Sequence, residues 1–281
     1  MSKIYYLGPE GSNTHIAALK FSEKLNQKSE LIYVHNILQG FKDYLTEVEN
    51  SYLILPLENS IEGTVRETID NLILQNEDNL KILAEIIVDI KHCFVGNKNT
   101  NLNDVKTVIS HPQAILQCID TIYETFGNDV KIINSTSTSK AVKSLVDNDY
   151  TTIAVANPLC AEIYNKSVLK ADISKVLDNK TRFVVLDKFD TELPEFTPSK
   201  VSITFSTINK SGALASVLDV LAYYGINLCH IDSRPSKIKF GEYIFYCELD
   251  TNFENNNLEI ALSKIKNYTN FLKINGEYFS I

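Results

Sequence analysis

The sequence predicts an α/β protein in which a two-lobed unit with mainly parallel sheets precedes a smaller ferredoxin-like domain of βαββαβ order. Three observations predict this fold class. Short β-branched runs alternate with amphipathic stretches from residue 3 to about 188, a segment with two prolines follows, and the order of elements then changes. A chain of 281 residues that are 44% hydrophobic is long enough to fill more than one core.

The first part of the chain contains seven short runs rich in β-branched residues. The strands predicted from them are 3–8, 30–35, 51–57, 106–110, 130–135, 151–156 and 182–187. Helix-like stretches follow nearly every run, which is the pattern of βαβ units. The stretch 80–97 is too long and too β-branched for one strand, so we expect it to hold strands that cross between two lobes.

The segment 188–200 contains two prolines, mixed charge and no periodicity, which is typical of a linker. After it the strand and helix patterns come in the order βαββαβ within about 80 residues, and this order predicts a ferredoxin-like sandwich. The predicted strands are 201–208, 227–235, 242–250 and 271–279, and the predicted helices are 212–226 and 256–269.

The composition excludes some classes of partner. A net charge of −8 and a pI near 5.2 argue against nucleic acid and anionic membranes. The five cysteines are scattered without metal-ligand spacing, so we expect reduced core residues. The N-terminus has neither a basic region nor an apolar segment after it, and a cytoplasmic location is expected. The three arginines each fall inside a motif, where a planar cation is of use.

Polar clusters follow five of the predicted strands. They are GPEGSNTH at 8–15, PLENSIEGT at 56–64, SHPQ at 110–113, STSTSKA at 135–141 and ANPLCAEIY at 156–164. In open parallel sheets ligands bind beyond the carboxyl ends of the strands, where helix N-termini also present N–H groups to anions. One such cluster alone is most simply an ordinary helix cap, but five together favour a ligand-binding site at these strand ends.

Six motifs carry a family resemblance, and they are GPEGSNTH, LPLENSIEGTV, SHPQAILQC, STSTSKAV, ANPLCAEIY and DNKTRFVVL. In this order and approximate spacing they resemble the motifs of prephenate dehydratases, and 212–237 resembles the phenylalanine-binding ACT domain that follows them. The strand that leads into the first motif starts at residue 3, so we expect the monofunctional form, without the chorismate mutase domain that is often fused ahead of it.

The resemblance implies a division of the chain into domains. A catalytic domain is expected at 1–188, with two lobes like those of periplasmic solute-binding proteins. One lobe would comprise about 1–80 plus 165–188, and the other about 81–164. A linker at 189–198 and an ACT regulatory domain at 199–281 complete the expected organisation.

The resemblance also implies the chemistry, which is conversion of prephenate to phenylpyruvate, carbon dioxide and water in L-phenylalanine biosynthesis, without metal or organic cofactor. Thr181 is then the key catalytic hydroxyl, with Glu58 a partner in proton transfer. The expected substrate-binding residues are Asn59, Ser60, Gln113, Ser137, Thr138 and Arg182. Arg182 is equally consistent with a structural ion pair. His111 precedes a proline, and its position favours entry into a helix over acid–base chemistry.

For the C-terminal domain the resemblance implies an allosteric site for L-phenylalanine and a homodimer or homotetramer. The expected effector-binding residues are Gly212, Ala213, Leu214, Asn227, Leu228, Asp232, Ser233, Arg234 and Pro235. The family usually has Glu where this chain has Asp232, so the affinity for phenylalanine or its coupling to activity can differ. Two alternatives remain open: an arogenate dehydratase, which performs the same elimination on the amino acid, and a non-catalytic amino-acid-binding module.

Overall fold

The computed structural model describes residues 2–25, 28–74, 79–191, 193, 197–208, 210–236, 242–250 and 257–281. The chain forms two compact units, each of which combines separate stretches of sequence. The first unit contains 1–65 and 87–183, and the second contains 66–86 and 184–281. Residues 192 and 194–196 of the predicted linker lie outside the described residues, as does residue 256 of a predicted helix. The domain boundaries expected from the resemblance stay a prediction.

Strands and helices are numbered along the described residues. The strands are β1 Ser2–Leu7, β2 Ser29–Val34, β3 Ser51–Asn59, β4 Gly63–Thr64, β5 Lys81–Asp89, β6 Cys93–Gly96, β7 Thr107–Ser110, β8 Lys131–Asn134, β9 Thr152–Ala156, β10 Ser167–Lys170, β11 Lys180–Asp187, β12 Lys200–Thr207, β13 Leu228–Pro235, β14 Tyr243–Asp250 and β15 Thr269–Ser280. The helices are α1 Asn13–Lys24, α2 Ile37–Thr46, α3 Arg66–Leu74, α4 Pro112–Phe126, α5 Thr138–Lys143, α6 Pro158–Ile163, α7 Ala213–Tyr223 and α8 Asn257–Ile265.

One sheet of the first unit contains β11, β3, β1 and β2 in that order, and β1 pairs in parallel with both β2 and β3. The middle strands are nearly continuous apolar runs, because helices α1 and α2 contact this sheet and leave little of it to water. Buried side chains from the middle strands include Ile4, Leu53 and Ile54. The short strand β4 pairs antiparallel with the end of β3.

The second sheet of the first unit has the order β10-β6-β9-β7-β8. Side chains of β6 and β9 alternate between two cores: Phe94 and Ile153 pack with α4 on one face, and Val95 and Ala154 pack with α5 and α6 on the other. The stretch 80–97 holds two strands as expected, and they belong to different sheets: β5 lies next to β11, and β6 lies in this five-stranded sheet.

The second unit contains an antiparallel sheet in the order β13-β14-β12-β15, covered on one face by α7 and α8. In sequence order this is 2-3-1-4, the arrangement of a ferredoxin-like sandwich, and the predicted fold class is confirmed. Strand β15 ends in parallel pairing with β5. Gly276 permits the approach, since a Cβ there would lie 2.3 Å from the carbonyl oxygen of Ile82.

Two details differ from the sequence predictions. Strands β4 and β10 were not predicted, because β4 has only two residues and the residues SVLK of β10 do not alternate between polar and apolar. Four of the cysteines are buried and free as expected, but Cys229 is exposed on β13, at the edge of its sheet. Among the described residues no helix is long and apolar enough to cross a membrane.

Candidate active site

The first unit contains a cleft of about 430 Å³ between its two sheets. Its walls are strand ends and the first residues of α1, α4 and α5, which meet because each βα connection turns from strand to helix at the same edge of its sheet. Four of the five polar clusters reach it. The lining residues that those clusters supply include Ser12, Asn59, Gln113, Ser137 and Thr138.

The fifth polar cluster, 156–164, does not line the cleft, but it contacts the loop after β1 that does. Asn157 caps α6 by accepting from the backbone N–H of Cys160 at 3.2 Å, as predicted, and its amide donates to the carbonyl oxygen of Gly11 at 2.8 Å. Gly11 belongs to the first polar cluster, whose Ser12 caps α1 by accepting from the N–H of His15 at 3.1 Å. These contacts join the loop after β1 to the start of α6.

Thr181 lies near the start of β11, 9% exposed, and lines the cleft. The amide nitrogen of Asn59 donates to its Oγ1 across 2.9 Å. Asn59 is held in this orientation because its Oδ1 accepts from the backbone N–H groups of Ile61 and Glu62, both at 3.0 Å. A hydroxyl oxygen that accepts from Asn59 keeps its own hydrogen, so Thr181 can donate to a ligand in the cleft.

Glu58 and Arg182 lie one position away from Asn59 and Thr181 on the same two strands, and they are not among the lining residues. Successive side chains of a strand point to opposite faces, so the two pairs face different ways. Arg182 donates to a carboxylate oxygen of Glu58 at 3.0 Å. Ser60 also lies off the lining, where it accepts from the backbone N–H of Lys180 at 2.9 Å.

The opposite wall of the cleft belongs to α4 and α5. Gln113 donates from Nε2 to a carboxylate oxygen of Glu62 across the opening at 2.9 Å. Ser137 caps α5 by accepting from the N–H of Lys140 at 3.0 Å, and Thr138 follows as the first helical residue. His111 is the N-cap residue of α4 and accepts at 3.4 Å from the N–H of Gln113, which confirms it as a helix-entry residue.

Sequence reasoning missed three polar residues of the cleft: His92, Gln117 and Asn179. Oε1 of Gln117 accepts from Asn179 Nδ2 at 2.9 Å and lies 2.9 Å from His92 Nε2, while Asn179 Oδ1 accepts from Asn59 at 2.9 Å. Two signals were available. Gln117 follows Gln113 by one helical turn, on the same face of α4, and Asn179 belongs to the DNKTRFVVL motif.

The cleft is lined mainly by neutral groups. Among the described residues that line it none is Lys or Arg, and Glu62 is acidic. Helices α1 and α4 begin at the cleft, and their first N–H groups have no acceptor within the helix, so these groups and the partial positive charge of each N-terminus can meet an anion. Burial lowers the pKa of His92 below its ordinary value of 6.5, so this imidazole is neutral at pH 7.

The second unit contains a separate pocket of about 350 Å³ at the start of α7. Gly212, Ala213 and Leu214 line it as expected, and Gly212 precedes the helix with a φ of 80° that favours glycine. The other expected effector residues, Asn227, Leu228 and Asp232 through Pro235, are not among its lining residues. Arg234 makes a bidentate contact with Asp70 of α3, at 2.6 and 3.1 Å. Lining residues that were not predicted are Thr207, Ile208, Lys210, Ala215, Glu242, Tyr243 and Phe245.

Comparison with known proteins gives consistent matches. A family model described as prephenate dehydratase matches residues 4–191. A prephenate dehydratase of Methanocaldococcus jannaschii is 38% identical over 98% of this chain and 97% of its own length. Arogenate dehydratase/prephenate dehydratase 2 of Arabidopsis thaliana is 30% identical over 80% of this chain and 60% of its own. The crystal structure of an Arthrobacter aurescens prephenate dehydratase in complex with L-Phe is 27% identical, with a TM-score of 0.85 over 99% of this chain and 90% of that one.

The family match and the cleft coincide along the chain. Every lining residue of the cleft, from Leu7 to Phe183, lies within the stretch that the family model matches. The archaeal relative extends the similarity over nearly the whole of both proteins. The chain belongs to the prephenate dehydratase family.

Proposed function

We propose that this chain is the lyase that converts prephenate to phenylpyruvate, carbon dioxide and water in L-phenylalanine biosynthesis, and that the cleft of the first unit is its active site. The observation that supports this most directly is the contact between the buried Thr181 and the half-buried Asn59, whose hydrogen bond leaves the threonine hydroxyl free to donate into the cleft. Family membership supplies the reaction, and the geometry supplies a donor for the leaving oxygen.

The reaction needs little from the protein beyond alignment and one proton. The bond from the ring to its carboxylate breaks, the electron pair enters the ring, and the C4 hydroxyl leaves with a proton as water; aromatisation drives the step. Thr181 donates to the leaving oxygen. A free threonine hydroxyl is a weak acid, and the N–H of Asn59 stabilises the negative charge that develops on Oγ1.

The two carboxylates of prephenate need donors, and the lining offers helix N-termini and amides. We assign carboxylate binding to the first N–H groups of α1 and α4, with the side chains of Gln113, Ser137 and Thr138 adding hydrogen bonds. Arg182 and Glu58 belong to the site through their strands: their ion pair holds β11 against β3, and with it Thr181 beside Asn59. Ser60 supports the same segment through its contact with Lys180.

A second candidate substrate is arogenate, in which an amino group replaces the keto group. The Arabidopsis relative carries both activities in its name, and the carboxylate of Glu62 at the edge of the cleft would favour an ammonium group. Incubation of the purified protein with each substrate, followed by chromatography of the products, decides between them. We expect phenylpyruvate from prephenate at the higher rate. Consumption of neither substrate by the folded protein would leave the non-catalytic amino-acid-binding module as the better interpretation.

We further propose that 199–281 is an ACT domain that senses L-phenylalanine in the pocket at the start of α7. The first N–H groups of α7 face a pocket that combines apolar side chains with Lys210 and Glu242, which suits a zwitterion with an aromatic side chain. The Arthrobacter structure holds L-Phe, which supports the choice of effector. A homodimer or homotetramer and a cytoplasmic location complete the proposal. Calorimetry with L-Phe, and the subunit number by light scattering, test it.

A further inference from the structure

His92 lies between β5 and β6, where the chain crosses from one sheet to the other. It lines the cleft, although only 6% of the residue is exposed. Its Nε2 lies 2.9 Å from Oε1 of Gln117. An amide oxygen only accepts, so this nitrogen carries the proton and His92 donates.

The other nitrogen of the same ring has no hydrogen-bond partner among the described residues, although it is fully buried. A buried acceptor without a partner destabilises a fold, and an apolar ring would fill the space without that penalty. Burial also lowers the pKa of His92, which keeps the ring neutral with a single N–H. Stability alone therefore does not explain a histidine here, and the one contact that it does make becomes informative.

That contact is one of two that determine the orientation of Gln117. Its Oε1 accepts from two donors, His92 Nε2 and Asn179 Nδ2, both at 2.9 Å. Rotation of the amide by half a turn would place its NH₂ group against both donors, so one orientation is strongly preferred. Its Nε2 meets no acceptor among the described residues, and Gln117 lines the cleft, so this NH₂ group is available to a ligand.

The same amides reach the proposed catalytic hydroxyl. Asn179 donates from Nδ2 to Gln117 and accepts at Oδ1 from Asn59. Asn59 also donates to Oγ1 of Thr181. Backbone N–H groups orient Asn59 at one end of this chain of contacts, and His92 meets Gln117 at the other end.

We propose that His92 is a positioning residue for the dehydratase reaction, which orients the Gln117 amide so that its NH₂ group donates to a carboxylate or hydroxyl oxygen of the substrate beside Thr181. The inference rests on the proposed function and deepens it. His92 itself touches no reacting atom, and it acts through Gln117.

Two substitutions of His92 separate the role of its N–H donor from the role of its imidazole ring. Counted from the backbone, the amide nitrogen of glutamine reaches the position of the histidine Nε2, whereas that of asparagine reaches only the position of Nδ1. His92→Gln keeps a donor for Gln117, and His92→Asn removes it. We expect His92→Asn to lower kcat/KM for prephenate about 10-fold, the value of one hydrogen bond, and His92→Gln to stay within about 3-fold of the wild type.

A double-mutant cycle with Gln117→Leu provides the readout that a purely structural role would not produce. If His92 acts through Gln117, His92→Asn should lower kcat/KM by less than about 2-fold once Gln117 is leucine. Both His92 variants lose the ring, so impaired packing would reduce their activities equally. Urea unfolding at the assay temperature checks that each variant is folded.

The outcomes separate this inference from the proposed function. A wild-type protein that turns over neither prephenate nor arogenate would overturn both. An active wild type with equal activities of the Asn and Gln variants would overturn the positioning role alone, and so would a full 10-fold loss in the Gln117→Leu background. A loss specific to His92→Asn that disappears in that background establishes His92 as the residue that orients Gln117.

Discussion

At the residue scale, the hydroxyl of Thr181 bears the largest share of the proposed chemistry. Thr181→Ala should lower kcat by about 10² to 10⁴, the usual contribution of a positioned proton donor, whereas Thr181→Ser should keep much of the rate because it retains the hydroxyl. KM should change less than kcat. Steady-state kinetics with prephenate measures both, and comparable rates for wild type and Thr181→Ala would remove Thr181 from the mechanism.

Arg182 distinguishes a structural ion pair from a carboxylate anchor. Its side chain and that of Glu58 are 13% and 35% exposed, and they face each other away from the cleft lining. Arg182→Lys should therefore lower the free energy of unfolding by about 1 kcal/mol and change KM by less than about 3-fold. Urea unfolding and steady-state kinetics measure the two effects. A large rise in KM with unchanged stability would instead support direct contact with the substrate.

The sequence predicted some cleft residues better than others, for a physical reason. Asn59 and Gln113 lie in motifs at the carboxyl ends of strands, which the topology of parallel sheets brings together, whereas Thr181 lies at the start of β11 and was predicted from the family motif. The partner of Thr181 was not predictable in the same way. Glu58 and Asn59 are adjacent in sequence, and only the register of β3 against β11 decides which side chain faces the cleft. His92 and Gln117 meet through tertiary packing, which local patterns do not encode.

At the element scale, the junction of β15 with β5 depends on a glycine. Gly276 has a φ of 148°, and a Cβ there would lie 2.3 Å from the carbonyl oxygen of Ile82. Gly276→Ala should lower the free energy of unfolding by about 3 kcal/mol or more, because strands that now touch must separate. Gly127→Ala is the matched control, since its φ of 79° is also positive but its Cβ would meet nothing within 4 Å. We expect Gly127→Ala to lower the free energy of unfolding by about 1 kcal/mol. Equal losses in urea unfolding would show that no clash exists.

Elements with a long hydrophobic period were the predictable part of the fold. All four strands and both helices of the ferredoxin-like unit were predicted, because their apolar positions repeat over eight or more residues. The contribution of β5 to the sheet of that unit was not foreseen. Pairing between strands nearly 200 residues apart produces no local sequence pattern in either strand. Gly276 is the one residue of β15 whose type is typical of a close approach between backbones.

At the scale of the whole molecule, buried neutral histidines should make the fold sensitive to acid. Burial lowers the pKa of both His15 and His92 below 6.5. Above pH 6.5 both imidazole rings are neutral in the folded and in the unfolded protein. Below pH 6.5 the rings bind protons in the unfolded protein, but they stay neutral in the folded protein until the pH falls to their lowered pKa. The free energy of unfolding should then fall by up to about 1.4 kcal/mol per pH unit for His92. The lowered pKa of Glu47, which Lys3 and Tyr5 stabilise as a carboxylate, matters only below its ordinary value of 4.5.

Urea unfolding at pH 7 and pH 5.5 measures this dependence. His92→Gln should flatten it, because glutamine does not titrate, and substitution of the exposed His35 serves as the control. A slope that is the same in His92→Gln and the wild type would assign the acid sensitivity to other groups.

The last prediction is that L-phenylalanine binds the C-terminal unit and inhibits turnover in the other unit. A coupling of about 1 to 3 kcal/mol would shift substrate affinity 5- to 150-fold, provided that phenylalanine prefers one state of the enzyme. Gly212→Val should abolish the heat of binding and the inhibition together, because its side chain would obstruct the N–H groups at the start of α7. Gly225→Val is the matched control: its φ of 68° imposes similar strain at the other end of α7, away from the pocket.

Asp232→Glu, which introduces the residue usual in the family, should leave the affinity for phenylalanine equal or tighter. Calorimetry and turnover assays across millimolar phenylalanine test all three variants. Wild-type protein that neither binds nor responds would show that this unit does not sense phenylalanine, and equal loss of binding in Gly212→Val and Gly225→Val would assign the effect to backbone strain instead of the pocket.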